Sequence, residues 1–328
     1  TLAAWGMHLD FSPDTAGGAL FPYLEAMTNQ SFGMVLGKGG ADTIIKAMTN
    51  FIKSNGGQIL FKSEVSEIIH KNSNVSGVRL KDGSIINAKR CIIANVSPSA
   101  LLKLTGKFED KRYTNALVKF KHAPGTMMIH LSMDNLPNWK ASKELKKFAY
   151  VHVAPSLSQM SNTYQQAIDG ILPDRPVIVV GQPTSVDNSR APSGKHTLWV
   201  QVRMVPGQIN GDAAGEISGK DWSQIKELYA DRVLDILEEY APKIKKSIIT
   251  RSVVSPIDLE KDNPNLVFGD QICGSHHLTQ HFLFRPVRGY TDGTTPIHNL
   301  YHTGAAIWPG AGPGAGSGFF LGQKLAGN

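Results

Sequence analysis

Residues 299–318 read NLYHTGAAIWPGAGPGAGSG and continue into the segment FFLGQKLAGN, which reaches residue 328. The first part favours a strand, the glycine-rich middle favours a tight turn, and the last part favours a helix. Glycine lets a backbone approach a flat or anionic ligand closely, and the N-terminus of the helix that follows offers free N–H groups with a partial positive charge. The stretch therefore predicts an anion-binding turn.

Gly310, Gly312 and Ala315 formally satisfy the G-x-G-x-x-G/A dinucleotide pattern. That pattern normally opens a βαβ unit and has an acidic residue about 20 positions further on. Only 13 residues of the sequence follow Ala315, so we do not interpret it as a first nucleotide-binding unit. The pattern alone is also consistent with a glycine-rich turn that merely packs a helix on a strand.

Upstream, residues 41–54 place apolar side chains on one helical stripe, and Gly56 and Gly57 supply the stop. The stripe consists of Ile44, Ile45, Met48, Phe51 and Ile52. Alternating apolar residues and turn signals then predict short strands at 58–62, 65–70, 75–80, 85–88 and 91–94.

Longer strands are predicted in the middle of the chain and indicate an antiparallel sheet in a second domain. They cover residues 126–133, 148–153, 176–181 and 197–205. Residues 222–240 form another amphipathic helix, with Asp221 as the predicted N-cap. The methionines of this region, Met127, Met128 and Met133, fit either an apolar cavity or an ordinary core.

Composition restricts the function classes. The chain has 328 residues, 41% of them hydrophobic and 19% charged, which is typical of a globular protein with two domains. Cys91 and Cys273 lack the spacing of a zinc or disulfide framework, which favours a reducing, cytoplasmic compartment. The positive residues behind the net charge of +7 are scattered, which argues against nucleic-acid binding. The lysines between Lys140 and Lys147 indicate a solvated helix face or, alternatively, peripheral membrane contact.

Further motifs accompany the C-terminal turn. In order, they are Trp5-Gly6-Met7-His8-Leu9, Pro13-Asp14, Gly17-Gly18-Ala19, Gly37-x-Gly39-Gly40, Pro264-Asn265, Gly269-Asp270, Gln280, Arg285-Pro286, Tyr290 and Thr295-Pro296-Ile297. With Leu300-Tyr301-x-x-Gly304-Ala305, the proline and the glycine cluster, they resemble the phytoene dehydrogenase-like FAD-dependent oxidoreductases, flavoproteins of the amine-oxidase and glutathione-reductase type.

This resemblance implies a mixed α/β, two-domain flavoprotein. A partial Rossmann-like FAD-binding domain, residues 32–100 and 263–328, would be interleaved with an antiparallel-sheet substrate domain, residues 1–31 and 101–262. The resemblance also implies which residues bind FAD: Val65, Gly304, Ala305, Trp308, Gly312, Pro313, Gly314, Ala315 and Gly316. For Val65 the alternative is an ordinary strand valine, and for Trp308 it is a core tryptophan.

The implied activity is that of an FAD-dependent dehydrogenase or desaturase acting on a small apolar organic substrate. The family's first βαβ unit has no counterpart in residues 1–328, so we expect either a C-terminal portion of a longer enzyme or a separate chain that supplies the missing part. The expected partners are the missing N-terminal segment or further copies in a homo-oligomer. The alternatives are a non-catalytic interaction protein that retains the flavoprotein fold, and an amine or amino-acid oxidase in which Trp308 and Tyr301 flank the flavin.

Other residues give weaker signals. His277 and His281 have the spacing of helical metal ligands, but a third ligand is missing from the pattern, so no metal site is expected. Arg285 could pair with a carboxylate, a phosphate or a flavin, and a structural salt bridge is the default expectation. The pattern contains no nucleophile elbow, and it assigns no catalytic residue.

Overall fold

The computed structural model describes residues 2–311 and 315–327 and has a mixed α/β architecture. The chain divides into two compact units, each built from two segments. Unit 1 contains residues 1–59 and 124–262, and unit 2 contains residues 60–123 and 263–328. The units alternate along the chain with breaks after residues 59, 123 and 262, whereas the predicted breaks follow residues 31, 100 and 262. The assignment of residues 32–100 and 263–328 to FAD binding remains a prediction.

Within the described residues, the helices and strands follow in this order. The helices are α1 (Ala3–Gly6), α2 (Leu20–Phe32), α3 (Asp42–Ser54), α4 (Pro98–Thr105), α5 (Lys111–Val118), α6 (Leu157–Ile168), α7 (Trp222–Tyr240), α8 (Pro256–Asp262) and α9 (Gly316–Ala326). The strands are β1 (Val65–Lys71), β2 (Asn74–Leu80), β3 (Ile85–Asn87), β4 (Ile92–Asn95), β5 (Gly125–Met133), β6 (Tyr150–Val153), β7 (Ile171–Leu172), β8 (Val177–Gly181), β9 (His196–Val205), β10 (Gly211–Asp212), β11 (Ile248–Val254) and β12 (Leu300–Thr303).

Unit 1 is organised by an antiparallel sheet with the strand order β11-β5-β9-β8-β6. Every second residue of these strands enters one core, which also takes up the apolar face of α7. The Asp221 side chain caps α7 by accepting a hydrogen bond from the Ser223 N–H at 2.8 Å. The predicted sheet, helix and cap are therefore confirmed.

The methionines of β5 divide between the two faces of this sheet. Met127 and Met133 are fully buried in the unit 1 core, which is the ordinary-core alternative. Met128 alternates to the opposite face and is only half-buried. Strand periodicity therefore separates three methionines that sequence composition treats as one group.

Helix α3 forms as predicted, and Gly56 follows it in the left-handed region with φ 78°. Its apolar stripe, however, is exposed. The five side chains of the stripe, Ile44, Ile45, Met48, Phe51 and Ile52, are between 42% and 72% accessible. This helix therefore presents an open apolar face.

Unit 2 combines an antiparallel meander, β1-β2-β3, with a parallel pair, β4 and β12. Ile68 of β1, Ala94 of β4 and Leu300 of β12 share one core with α4 and α5. The strand predicted at 58–62 is wrong. The Gly57 N–H bonds back to the carbonyl of Ile52, and Lys62 has φ 54°, so this segment cannot form an extended ladder.

Candidate cofactor-binding turn

Strand β12 delivers the chain to the glycine-rich turn beside β4. The two strands pair in parallel, with Thr303 opposite Asn95 at their carboxyl ends. The next residue, Gly304, has φ 99°, and a Cβ there would lie 2.1 Å from the Asn95 Oδ1 atom. Glycine is therefore required at 304 both by backbone conformation and by the neighbouring side chain.

Ser317, in the first turn of α9, ties the helix back to the end of β12. Its hydroxyl accepts a hydrogen bond from the Gly304 N–H at 3.0 Å and donates one to the Gly304 carbonyl at 2.9 Å. Within the turn, the N–H of Ile307 bonds to the carbonyl of Gly304, and the N–H of Gly310 bonds to that of Ile307. Hydrogen bonds thus connect the end of the strand to the turn and to the first turn of the helix.

Helix α9 begins without a capping side chain, because Ala315 occupies the N-cap position with a left-handed backbone, φ 46°. A Cβ added at Gly318 would have only the Thr303 Oγ1 within 4 Å, at 3.9 Å, and one added at Gly322 would meet nothing. The start of α9 therefore offers backbone amides and a strip of bare backbone. The predicted residues Gly312, Pro313 and Gly314 lie outside the described residues.

Trp308 borders this turn and is half-buried, which does not fit a fully buried core tryptophan. Its ring stacks on Phe320 of α9 with centroids 5.5 Å apart and planes 19° from parallel. Phe319 and Phe320 are themselves largely exposed. Trp308, Phe319 and Phe320 thus form an accessible aromatic patch beside the helix start.

Arg285 lies on the buried side of the turn, and the expected salt bridge is wrong. The side chain is fully buried, and its hydrogen bonds all go to backbone carbonyls. Ala305 accepts two of these bonds, and Cys273, Gly274 and Ser275 accept one each. Four backbone carbonyls, which together accept five hydrogen bonds, replace the carboxylate that a buried guanidinium usually finds.

His276 and His281 lie close to this arginine. Burial, reinforced by the Arg285 charge, lowers the pKa of His276 to about 2 and that of His281 to about 4. The Nε2 atom of His276 accepts a hydrogen bond from the Ala311 N–H at 3.1 Å, as a neutral ring does. His277 and His281 sit in short 3₁₀ turns or loops, and no metal-binding cluster exists among the described residues.

Asp270 organises the loop that supplies the carbonyl partners of Arg285. Its carboxylate accepts hydrogen bonds from the N–H groups of Ile272, Gly274 and Ala123, at 2.9, 2.6 and 3.1 Å. It also lies 3.1 Å from the Nδ1 atom of His122. A buried carboxylate with this many donors fixes the loop geometry.

Val65 belongs to another part of unit 2. It opens β1, pairs with Leu80 of β2 and is half-buried, whereas Gly304, Ala305, Trp308, Ala315 and Gly316 gather around the turn after β12. Sequence reasoning missed Asn95, Ser317 and His276. The serine within the glycine cluster was the one local signal that could have indicated a closing hydrogen bond.

The described residues fit a planar, partly anionic group such as a flavin. The uncapped start of α9, the bare strip at Gly318 and Gly322, and the half-exposed aromatic patch supply amides, close backbone access and a flat apolar surface. All the residues that would contact such a group in this comparison belong to unit 2.

Unit 1 contains a separate cavity of about 460 Å³. Its lining combines apolar and polar side chains: Met34, Leu36, Lys38, Ala149, Tyr150, Val186, Asp187 and Asn188. The Asp187 carboxylate accepts a hydrogen bond from the Gly39 N–H at 2.7 Å and pairs with Arg190, which also donates to the Gly37 carbonyl. These contacts fix the glycine loop that precedes α3 at the border of this cavity.

Comparison with known proteins identifies the family. The sequence profile of the flavin containing amine oxidoreductases matches residues 2–269. The chain belongs to this family. The match ends before the turn at 304–316, so the role of the turn rests on its motif and its geometry.

Similar proteins include a mouse protein named pyridine nucleotide-disulfide oxidoreductase domain-containing protein 2, 26% identical over 84% of this chain and 48% of its own length. A 4,4'-diapophytoene desaturase (4,4'-diapolycopene-forming) of Methylomonas sp. is 27% identical over 89% of this chain and 53% of its own length. The chain thus spans about half the length of these relatives.

The fold is also similar to that of a solved structure. An oxidoreductase from Methanosarcina mazei superposes with a TM-score of 0.61 at 18% identity, covering 99% of this chain and 63% of that one. Because the identity is low, this likeness supports the mixed α/β fold and nothing finer. Among the described residues, none of the helices combines the length and the apolar character needed to cross a membrane.

Proposed function

We propose that the protein is an FAD-dependent oxidoreductase that acts as a dehydrogenase or desaturase on an apolar substrate. The observation that carries the proposal is the strand, turn and helix at 300–326, with its uncapped helix start and bare glycine strip, in a chain of a flavin-containing family. FAD, when bound, supplies two-electron hydride chemistry.

The residues around the turn would bind and orient this group. Backbone amides at the start of α9, from Ala315 and Gly316 onward, favour negative charge on a ligand. Gly304 and Ala305 would bring backbone close to it, and Trp308 with Phe320 would exclude water from one side. Gly312, Pro313 and Gly314 complete the proposed set of contacts, with Val65 at the adenine end.

We also propose that polypeptide outside residues 1–328 holds the ADP half of FAD. The chain spans only 48% and 53% of the length of these curated relatives. In the described residues, β4 pairs on one side only, with β12, and the Ile93 side chain of β4 is 49% accessible. A parallel pair of two strands is normally part of a larger, covered sheet.

For the substrate, the relative named as a diapophytoene desaturase supports an apolar polyene. The partly apolar cavity of unit 1 is compatible with the end of such a molecule. The family description favours an amine as the second candidate. The two differ in charge, so a direct comparison of substrates separates them.

The test uses the full-length native protein. Its visible spectrum and released flavin are measured first, and it is then mixed without oxygen with a polyene or with an aliphatic diamine. Bleaching of the flavin absorbance by the polyene supports the desaturase proposal, whereas bleaching by the amine, with peroxide released in air, supports an oxidase.

A pair of variants tests whether the turn binds the flavin. A Cβ at Gly310 would lie 2.4 Å from the His276 Nε2 atom, so Gly310→Val should lower flavin content at least fivefold. The exposed Ser193→Ala serves as the control and should retain all flavin. A folded full-length protein without flavin would instead favour a non-catalytic interaction protein.

A further inference from the structure

Arg285 is a fully buried cation that directly contacts the glycine-rich turn. Its Nε and Nη2 atoms donate to the Ala305 carbonyl at 3.1 and 2.7 Å. Its own carbonyl accepts a hydrogen bond from the Trp308 N–H at 3.3 Å. The first and the middle part of the turn are thus both tied to the same residue.

The same side chain reaches the loop before it in sequence. Nη1 donates to the Ser275 carbonyl at 2.8 Å, and Nη2 donates to the carbonyls of Cys273 and Gly274 at 3.1 and 3.3 Å. The guanidinium also lies 5.6 Å from the centroid of the Phe120 ring. Arg285 therefore joins the loop at 273–275 to the turn that follows β12.

The backbone at Gly310 lies so close to Arg285 that a side chain at this position would contact it. A Cβ at 310 would be 3.2 Å from the Arg285 Nε atom and 2.4 Å from the His276 Nε2 atom. The turn residues Trp308, Pro309 and Gly310 are half-buried, whereas Arg285 and His276 are fully buried. The charge therefore lies on the inner side of the turn, and the outer side is the one that remains accessible.

The guanidinium remains charged at neutral pH. Burial lowers its pKa to about 10, against the opposing effect of Cys273 and Asp270. Burial keeps His276 and His281 neutral, so they add no positive charge. Asp270 acts on Arg285 through space, since its carboxylate oxygens bind the N–H groups of its own loop and of Ala123.

We propose that Arg285 is the positioning residue of the turn and that its fixed positive charge favours the electron-rich state of the ligand held there. This inference rests on the proposed flavin function. It goes beyond that function because it assigns the control of flavin affinity and reduction potential to a residue on the inner side of the turn. Carbonyl dipoles orient the guanidinium but do not cancel its charge.

The experiment compares Arg285→Met, Arg285→Lys and the wild type, with the exposed Arg112→Met as a matched control in the same unit. Amide hydrogen exchange at Trp308 and Ala311 is measured in protein stripped of flavin. Flavin affinity and the two-electron reduction potential are measured in the full-length holoprotein.

Arg285→Met should speed exchange at both amides at least tenfold and weaken flavin binding at least tenfold. At a fixed potential, its reduced-to-oxidised flavin ratio should fall about tenfold, which corresponds to about 30 mV for a two-electron couple. Arg285→Lys keeps the charge but lacks the planar donor set, so it should speed exchange while leaving the potential close to the wild type. Arg112→Met should change neither.

Unchanged exchange in both Arg285 variants would overturn the positioning role. An unchanged potential in Arg285→Met, or an equal potential shift in Arg285→Lys, would overturn the charge effect. If Arg285→Met does not fold, the equally neutral Arg285→Gln replaces it and should show the same faster exchange and the same lower potential. Wild-type protein without flavin would refute the proposed function itself, and the exchange measurement would still decide whether Arg285 positions the turn.

Discussion

The hydroxyl of Ser317 bonds to both the N–H and the carbonyl of Gly304, at 3.0 and 2.9 Å. A single side chain in the first turn of α9 thus bonds to both backbone groups of the residue that follows β12. The Thr303 hydroxyl lies 3.3 Å from the same oxygen. The start of the helix is therefore held at the carboxyl end of the parallel strand pair, where an α/β fold presents its ligands.

Ser317→Ala should destabilise unit 2, because it leaves the N–H of Gly304 without its partner and removes one of the two donors to the Gly304 carbonyl, which keeps its bond from the Ile307 N–H. The expected loss in free energy of unfolding is about 1–3 kcal/mol. Denaturant unfolding of the variant and of Ser193→Ala, an exposed serine, provides the measurement. Equal stability of the two variants would show that the bonds to Gly304 contribute nothing.

Glycine at 304 and glycine at 322 should respond oppositely to alanine. Gly304→Ala places a Cβ 2.1 Å from the Asn95 Oδ1 atom at φ 99°, and the backbone strain alone costs about 1–3 kcal/mol. Gly322→Ala meets no atom within 4 Å and should raise stability by up to about 1 kcal/mol through helix propensity. Thermal unfolding of both variants tests this contrast.

Asn95→Ala supplies the matching control for the clash. In the double variant Gly304→Ala, Asn95→Ala, the clash should disappear and the backbone strain should remain. The loss in free energy of unfolding should therefore be smaller than the sum of the losses in the two single variants. Additive effects would mean that the Asn95 side chain moves away without cost.

Periodic elements were predictable from sequence because their burial pattern is local. The stripe of α7 and the alternation in β5 and β9 set which side chains enter the core before any tertiary contact is known. The strand predicted at 58–62 failed because alternation alone does not supply a partner strand. Leu60 and Phe61 remain exposed there.

The contacts that build the turn were less predictable, since they join residues far apart in sequence. The pattern around Gly304 indicates a turn, but Asn95 and His276 occupy positions next to it only through the β4–β12 pairing and the loop ordered by Asp270. Arg285 is the sharpest case. An arginine in a sequence indicates a charge, and no local pattern indicates that carbonyls will surround it.

The ion pair between Arg232 and Asp212 should be the strongest of the described pairs in unit 1. Both side chains are nearly inaccessible, and the two bonds measure 2.6 and 2.7 Å. Arg232→Met removes one partner and leaves a buried carboxylate, so we expect a loss of roughly 3–5 kcal/mol. The exposed pair of Arg175 and Glu239 is the control, and Arg175→Met should cost about 1 kcal/mol or less.

Urea unfolding of unit 1 compares the two arginine variants. A loss in Arg232→Met no larger than that in Arg175→Met would contradict the effect of burial. Restoring part of the stability with the double variant Arg232→Met, Asp212→Asn would support it, because the unpaired charge is then removed.

Acid should destabilise the protein through its buried histidines. Burial lowers the pKa of His8 to about 2, and it lowers that of His302 to about 4, from an ordinary value of 6.5. Below pH 6.5 these two histidines become protonated in the unfolded chain but stay neutral in the folded protein. Stability is therefore fully present above pH 6.5 and decreases below it, by up to about 1.4 kcal/mol per pH unit for each histidine.

Denaturant midpoints between pH 8 and pH 5 measure this slope. His8→Gln removes one such group, so the slope for unit 1 should fall by up to about 1.4 kcal/mol per pH unit. The exposed His130→Gln is the control for the substitution itself. An identical slope in the His8 variant would show that this ring takes up its proton in the folded state.

The open face of α3 should cause association of the isolated 328-residue chain. The five side chains of its stripe are large and apolar, yet they are 42% to 72% accessible. Exposed apolar patches of this kind promote association with another protein surface. Ile45→Glu with Phe51→Glu should shift the chain toward monomer in sedimentation velocity. Asn50→Glu, on the polar side of the same helix, adds charge without touching the stripe and should leave association unchanged. A wild-type chain that is already monomeric at high concentration would contradict the prediction, and equal effects of the two kinds of variant would attribute the change to net charge instead of the apolar face.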